Sequence, residues 1–349
     1  MVTTPSFDEL AARLRELVGA GRFSEALAAF RAAPPAVVAH RPDLALLAAA
    51  AAMRIGDVEG AGSLASGALA AFRGRGDLDG QMRALNLVGV VAFERGRMAE
   101  AEKALAGALR LARELDDVQL AARASNNLAS VSHLQGRVPE ALDLYRGALA
   151  SYERLGDRRG AAETYHNLGI AFRQMGDWRA AHDAILEARR HAEVAGAPDL
   201  LALVAIGRAE LGIETGDEAV ATVELERAGQ LAVEAEDEIG AAEVRRLRAL
   251  AALRQGRLEV ALSEGAAAHR EAERCGAALL RAEVAAVLAL ALLRAGRVAE
   301  GEERRREAVE GYRALGAALL ESRLEQEWKA LFATRASPAP RGDRKSGLN

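Results

Sequence analysis

The residues best suited to acid–base work or metal binding are six histidines, and they do not converge. His182 is followed by Asp183, and His191 by Glu193 one residue further on, the nearest approach to a catalytic pair. Neighbouring positions on a helix point in different directions, so both pairs read as solvated surface rather than a dyad. No HExxH, P-loop, CxxC or glycine-rich dinucleotide fingerprint is present. A single cysteine, Cys275, excludes an internal disulfide and a cysteine-based zinc site, and reads as a small, semi-buried helix residue. No metal, no cofactor and no enzymatic activity is expected. What does recur is a chemistry of binding. Arg83 with Asn86 returns as Arg123 with Asn126, 40 residues later. An amide both donates to and accepts from a peptide backbone, and a guanidinium pairs with carboxylates, so such a ladder suits successive units of one extended ligand.

The elements that must carry these residues follow from the period. Glycine followed by Asp or Arg stands at Gly56, Gly96, Gly136, Gly176, Gly216, Gly256 and Gly296, 40 residues apart throughout, with Gly21 preceding the first by 35. Five residues after each comes a small residue, from Ala26 and Ala61 to Ala261 and Gly301, and seven further on an alanine, from Ala33 and Ala68 to Ala268 and Ala308. Small residues seven apart share a helix face and let a neighbouring helix approach closely, which makes this face the inter-helix seam. A second set of turns, at Gly76, Asp116, Gly156, Gly196, Glu236, Gly276 and Gly316, keeps the same spacing and is often followed by Asp. Glycine suits the left-handed position that ends a helix, and Asp the N-cap of the next. Each repeat is therefore two helices of roughly 18 residues, ~27 Å long at 1.5 Å per residue.

With the small residue, the Gly-[Asp/Arg]-apolar turn and the paired alanines, segments such as NNLASVSHLQGRVPEAL and YHNLGIAFRQMGDWRAA resemble the tetratricopeptide (TPR) repeat. The longer repeat is similar to the variants in kinesin-light-chain-like and bacterial regulatory TPR proteins. The resemblance covers about residues 6–333 and implies an all-α, right-handed superhelix. Its helix pairs fall at about 6–33, 43–75, 77–115, 117–155, 157–195, 197–235, 237–275 and 277–315. A capping helix at 317–333 and a disordered tail at 334–349 follow, in one solenoid domain. Arg208, Arg245, Arg248 and Arg305 stand where the family usually has apolar or aromatic residues.

The resemblance also implies a concave groove lined by the first helix of each pair, and a protein or peptide ligand. It places there Arg83, Asn86, Arg123, Asn126, Asn127, His133, His166, Asn167 and Arg173, with Arg83, Arg123 and Arg173 facing an acidic segment. Asn127 and Asn167 have a second reading, as ties between adjacent helices. The Lys and Arg pattern of the chaperone-tail-binding carboxylate clamp is absent. Trp178, two residues after its turn glycine, reads as core, and Trp328 as cover for the last repeat.

The bulk properties agree with a repeat protein. Of 349 residues, 50% are hydrophobic but only 4% aromatic, so the core must be built mostly from Ala, Leu and Val. A net charge of -4 offers no basic balance for nucleic acid. The N-terminus lacks a signal-peptide pattern and the apolar runs are too short to span a bilayer, so a cytoplasmic chain without membrane contact is expected. Each repeat should touch only its neighbours, giving an elongated, curved particle. Function reads as a non-enzymatic interaction scaffold. The alternative is a sensory peptide-binding module of a bacterial signalling or transcription-regulatory system. With residues 1–75 occupied by repeats, such a module would act through a separate output protein.

Overall fold

The computed structural model describes residues 7–34 and 40–336, and every regular element in them is an α-helix. The first helices of the pairs are α1 (Phe7–Gly19), α3 (Pro42–Arg54), α5 (Leu78–Glu94), α7 (Val118–Leu134), α9 (Arg158–Gln174), α11 (Pro198–Thr215), α13 (Glu238–Arg254) and α15 (Ala278–Arg294). The second helices are α2 (Phe23–Ala32), α4 (Val58–Gly74), α6 (Met98–Glu114), α8 (Val138–Leu155), α10 (Trp178–Ala195), α12 (Glu218–Glu234), α14 (Leu258–Cys275) and α16 (Val298–Leu315). A last helix, α17 (Ala318–Ala336), stands alone. It runs three residues past the expected cap. The rest of the expected tail lies outside the described residues.

Turn chemistry sets these boundaries. Gly56, Gly96, Gly136, Gly176, Gly216, Gly256 and Gly296 all have φ between 74° and 87°, where a Cβ is strained. At the second turns Asp116 (φ 56°) and Glu236 (φ 51°) adopt the same left-handed conformation without being glycine. Each following helix is capped where Asp is available: Asp57, Asp77, Asp157 and Asp237 accept from the backbone N–H three residues on, at 2.8–3.0 Å. The alanine seam is buried as the spacing requires, with Ala101, Ala108, Ala181, Ala188, Ala261 and Ala268 fully enclosed. Gly301 completes it, because a Cβ there would meet the Ala289 carbonyl at 3.1 Å and Trp328 at 3.2 Å. Consecutive helices pack in sequence, and alternate first helices also touch, α11 with α13 and α13 with α15.

The expectation that repeats touch only their neighbours does not hold. The superhelix winds tightly enough for successive turns to meet. The Ser24 hydroxyl donates at 2.6 Å to Glu236, 212 residues away. Arg54, at the end of α3, lies 3.5 Å from Asp199 and 3.6 Å from Asp237. A Cβ on Gly56 would stand 2.7 Å from the Cys275 sulfur, and one on Gly96 2.7 Å from Leu315 and 3.1 Å from Ala278. Glycine at these turns therefore serves twice, as a left-handed residue and as the contact that admits the next turn. Cys275 is buried at this junction, where burial pushes its thiol up to about 11, well away from reactivity.

Winding also explains why Trp178 is not core. Its equivalents Val58 and Met98 are buried because another turn covers them: Val58 lies against Gly276, and Met98 shares a cluster with Leu315 and Ala317. Trp178 begins α10 with no turn above it and is 43% exposed. Trp328 is buried on α17, under the Arg305 guanidinium at 5.5 Å, and covers the last pair as expected. Three of the four arginines at unusual positions are accommodated by ion pairs, Arg208 with Glu224 at 2.5 Å, Arg245 with Glu264 and Glu271 at 3.2 and 3.0 Å, and Arg305 with Glu302 and Glu325. His191 is buried rather than solvated, stacked on Tyr165 with ring centroids 5.5 Å apart, while His182 is exposed.

Candidate binding groove

The first helices share one concave face, and its positions repeat along the chain. Val90 and Phe93 on α5, His133 on α7, His166, Asn167, Ile170 and Arg173 on α9, and Leu203, Ile206 and Glu210 on α11 line a cavity of about 500 Å³. Residues of α3, α13 and α15 close it from the other side of the superhelix, and Leu320 of α17 stands at its C-terminal end. Apolar walls with a few convergent polar groups are the usual make-up of a ligand pocket.

Of the expected groove residues, the structure brings His133, His166, Asn167 and Arg173 to this cavity. Arg83, Asn86, Arg123, Asn126 and Asn127 are not on it. Arg83 is exposed and pairs with Asp79 of its own helix at 2.9 Å. Arg123 is exposed beside the Tyr152 hydroxyl. Asn86 and Asn126 are buried, and their carbonyls accept from the Asn127 and Asn167 amides at 3.1 and 3.2 Å. The asparagines form a ladder between α5, α7 and α9, and the tie between helices, read for Asn127 and Asn167, applies to all four. The physical reason is register. At a buried position an amide must be bonded, and the neighbouring repeat carries an amide within reach.

Charges gather along this face between α9 and α17. Glu210, in the middle of the face, accepts from Arg173 of α9 at 2.9 Å and Arg246 of α13 at 3.0 Å. Arg246 also pairs with Glu243 at 2.5 Å and lies 3.7 Å from Glu283 of α15. Arg323 of α17 bonds Glu214, 109 residues earlier, and lies 3.1 Å from Glu327, which in turn is 3.6 Å from Arg254. Burial pushes the Glu210 carboxyl up, yet Arg173 and Arg246 outweigh it and hold it at about 2. Arg173 is thus already neutralised by the protein and is not a free receptor for an acidic segment. The network's signal was present in the repeat itself: Glu163, Glu243, Glu283 and Arg323 share one position of the first helix, and Leu203 alone interrupts the series from Arg83 onward.

The two histidines are neutral. The His133 Nε2–H donates to the Gln174 amide oxygen at 2.7 Å, and burial lowers the pKa of the ring. His166 is 8% exposed and burial lowers it to about 4. Its ring sits over Gly207, where a Cβ would stand 3.3 Å away. Among the described residues neither of its ring nitrogens has a hydrogen-bond partner. No group of three or more His, Cys, Asp or Glu with the geometry of a metal site occurs among the described residues.

Comparison with known proteins agrees with this architecture. A tetratricopeptide-repeat family model matches residues 120–193, which span α7 to α10. A Rap protein solved in complex with competence and sporulation factor superposes with a TM-score of 0.58 at 14% identity, covering 94% of this chain and 100% of that one. The Rap conjugation gene regulator of plasmid pLS20, in complex with the Phr* peptide, gives a TM-score of 0.64 at 15% identity, covering 85% of this chain and 76% of that one. Apo RapI gives 0.56 at 15% identity over 79% and 98%. At such identities the likeness is one of fold. No curated protein matches the chain. The likeness to kinesin-light-chain-like proteins rests on the sequence motif alone. The 40-residue helix pairs, their glycine turns, the family match and these superpositions make the chain a TPR-type protein, an all-α superhelical solenoid.

Proposed function

We propose that the chain is a non-enzymatic interaction scaffold that takes a peptide segment or partner helix into its concave groove. The observation that carries this reading is the groove itself, built by the same face of successive first helices, walled by Val90, Phe93, Ile170, Leu203 and Ile206, and closed at one end by α17. Its excess of carboxylates opposes a phosphate backbone, so nucleic acid is not the ligand. No described helix is long and apolar enough to cross a membrane, which fits a partner met in solution.

The test uses a position where the fold accepts a charge. Arg83, Arg123 and Arg323 occupy the repeat position that Leu203 holds in α11, so Leu203→Arg should fold while its side chain fills the groove. Peptides enriched from a random hexapeptide library by the wild-type chain should lose affinity at least about tenfold on Leu203→Arg, a loss of about 1.4 kcal/mol. They should keep it on Val233→Arg, an exposed site away from the groove. Equal affinity for Leu203→Arg and wild type would move binding elsewhere.

A sensory role draws its support from the superposed Rap structures, one solved with competence and sporulation factor and another, a conjugation gene regulator, with the Phr* peptide. In that reading a captured peptide changes the affinity of this chain for a separate output protein. Release of a co-purified protein partner by an enriched peptide is the outcome that distinguishes it from a plain scaffold.

A further inference from the structure

We infer that the groove's ligand is a cationic peptide segment, with one Lys or Arg side chain against Glu94 and another against Glu283; this rests on the groove-capture reading above. Three guanidinium groups on the cavity, those of Arg54, Arg173 and Arg246, face five carboxylates. The guanidiniums are spoken for. Arg173 serves Glu210 and Glu214, Arg246 serves Glu210 and Glu243, and Arg54 is shared between Asp199 and Asp237. Glu94, at the end of α5, has no ion-pair partner among the described residues, and Asp237 lies near enough to repel it. Glu283 has Arg246 only at 3.7 Å, with Glu243 and Glu210 beside it. Both carboxylates are partly buried, one without a counter-charge and the other with a distant one, which is costly, and a cation arriving with the ligand reduces that cost at each.

A second observation points the same way. His166 lines the same cavity, is more than nine-tenths buried, and has no hydrogen bond in the protein. A largely buried imidazole bordering the cavity without a bond to the protein is free to bond a ligand there. Being neutral, it can accept from an ammonium, a guanidinium or a peptide N–H without adding repulsion to a cationic segment. Burial, unopposed by enough positive charge, lifts both the Glu94 and Glu283 carboxyls to about 7. The groups facing Glu94 are Asp237 of the α13 cap and, beyond it, Arg54 of α3. Those facing Glu283 are Arg246 and Glu243 of α13, Glu210 of α11, Arg173 of α9 and Tyr312 of α16.

The experiment uses the full-length chain, immobilised at pH 8. The probe is a positional-scanning library of N-acetylated, C-amidated hexapeptides in which one position at a time is fixed as Arg, Lys, Asp, Glu or Leu. Retained peptides are read by mass spectrometry. Arg and Lys sublibraries should be retained at least about fivefold over Asp and Glu. The variant Glu94→Gln/Glu283→Gln, near-isosteric at both sites, should lose that preference while keeping Leu-containing peptides. Retention should fall on going to pH 6, where both carboxyls are mostly protonated, by up to about tenfold for each group with a pKa near 7. A preference for Asp or Glu, or a basic preference unchanged in the double Gln variant, overturns the inference and leaves groove capture standing. Retention of no sublibrary overturns groove capture itself. Retention that appears only after residues 337–349 are removed would make the chain's own basic tail, with Arg341, Arg344 and Lys345, the occupant, and would overturn the assignment to a partner.

Discussion

Glu94 and Glu210 are the same side chain on the same concave face, and their surroundings drive them in opposite directions. Burial and Asp237 lift Glu94 to about 7, whereas two guanidiniums hold Glu210 near 2 against the effect of burial. The folded pKa of Glu94 lies above its unfolded value, so the folded state binds the proton more tightly. Its contribution to stability is present in full below the ordinary carboxylate range and is lost as pH rises through about 7. Glu210 behaves conversely, contributing above the ordinary range and losing that contribution as pH falls towards 2. Glu94→Gln should therefore melt at a higher temperature than wild type at pH 8, with an advantage that shrinks as pH is lowered to 5. Melting curves across that range check it. An advantage that is constant with pH, or that grows on acidification, would show that Glu94 does not titrate as its surroundings dictate.

At the scale of the helix, the turns and seams were legible from the sequence because each is a local requirement written into a residue type. Gly96 must be left-handed, Asp77 must cap, and Ala101 and Ala108 must be small. The depth of a polar residue on a first helix was less legible. Asn86 and His133 both read as groove residues, yet only His133 reaches the cavity, because burial there depends on the separation of neighbouring first helices, which a single repeat does not encode. The ladder changes what is expected of the asparagines. Exposed in a groove they would matter for ligand affinity and little for stability. Buried and bonded, Asn86→Ala and Asn126→Ala should each cost about 1 kcal/mol in folding, because the hydrogen bond is lost and the partner amide is left unpaired. The effects should be less than additive for Asn86→Ala with Asn127→Ala, which remove the two ends of one bond, and close to additive for Asn86→Ala with Asn126→Ala, which belong to different bonds. Denaturant unfolding of the singles and doubles measures this, and unchanged midpoints would remove the ladder from the stability of the fold.

For the whole molecule, a period describes what a repeat does to its neighbour and is silent on what it does to a repeat one superhelical turn away. Contacts across turns depend on pitch, which accumulates from small rotations at each seam. Hence the exposure of Trp178 and the pairing of Ser24 with Glu236 were not legible, although each residue was correctly placed on its own helix, and the burial expected at Val58 and Met98 is supplied by another turn. Cross-turn packing is also what closes the groove, since Arg54, Asp237 and Glu283 reach the cavity only when the turns meet. The contact of Gly96 with Ala278 and Leu315 is the place to test this. Ala278 is the first residue of α15, where an acidic side chain suits the helix dipole, so Ala278→Glu should leave α15 intact while its bulk and charge push the turns apart. A compact chain of this length has a radius of gyration of about 20 Å, and a closed superhelix should lie only slightly above that. Small-angle scattering should show Ala278→Glu several ångströms larger, by an estimate of about 2–4 Å on that scale, with helicity by circular dichroism unchanged. If the variant scatters like the wild type, cross-turn contacts do not set the dimensions of the particle, and the closed groove that depends on them loses its support.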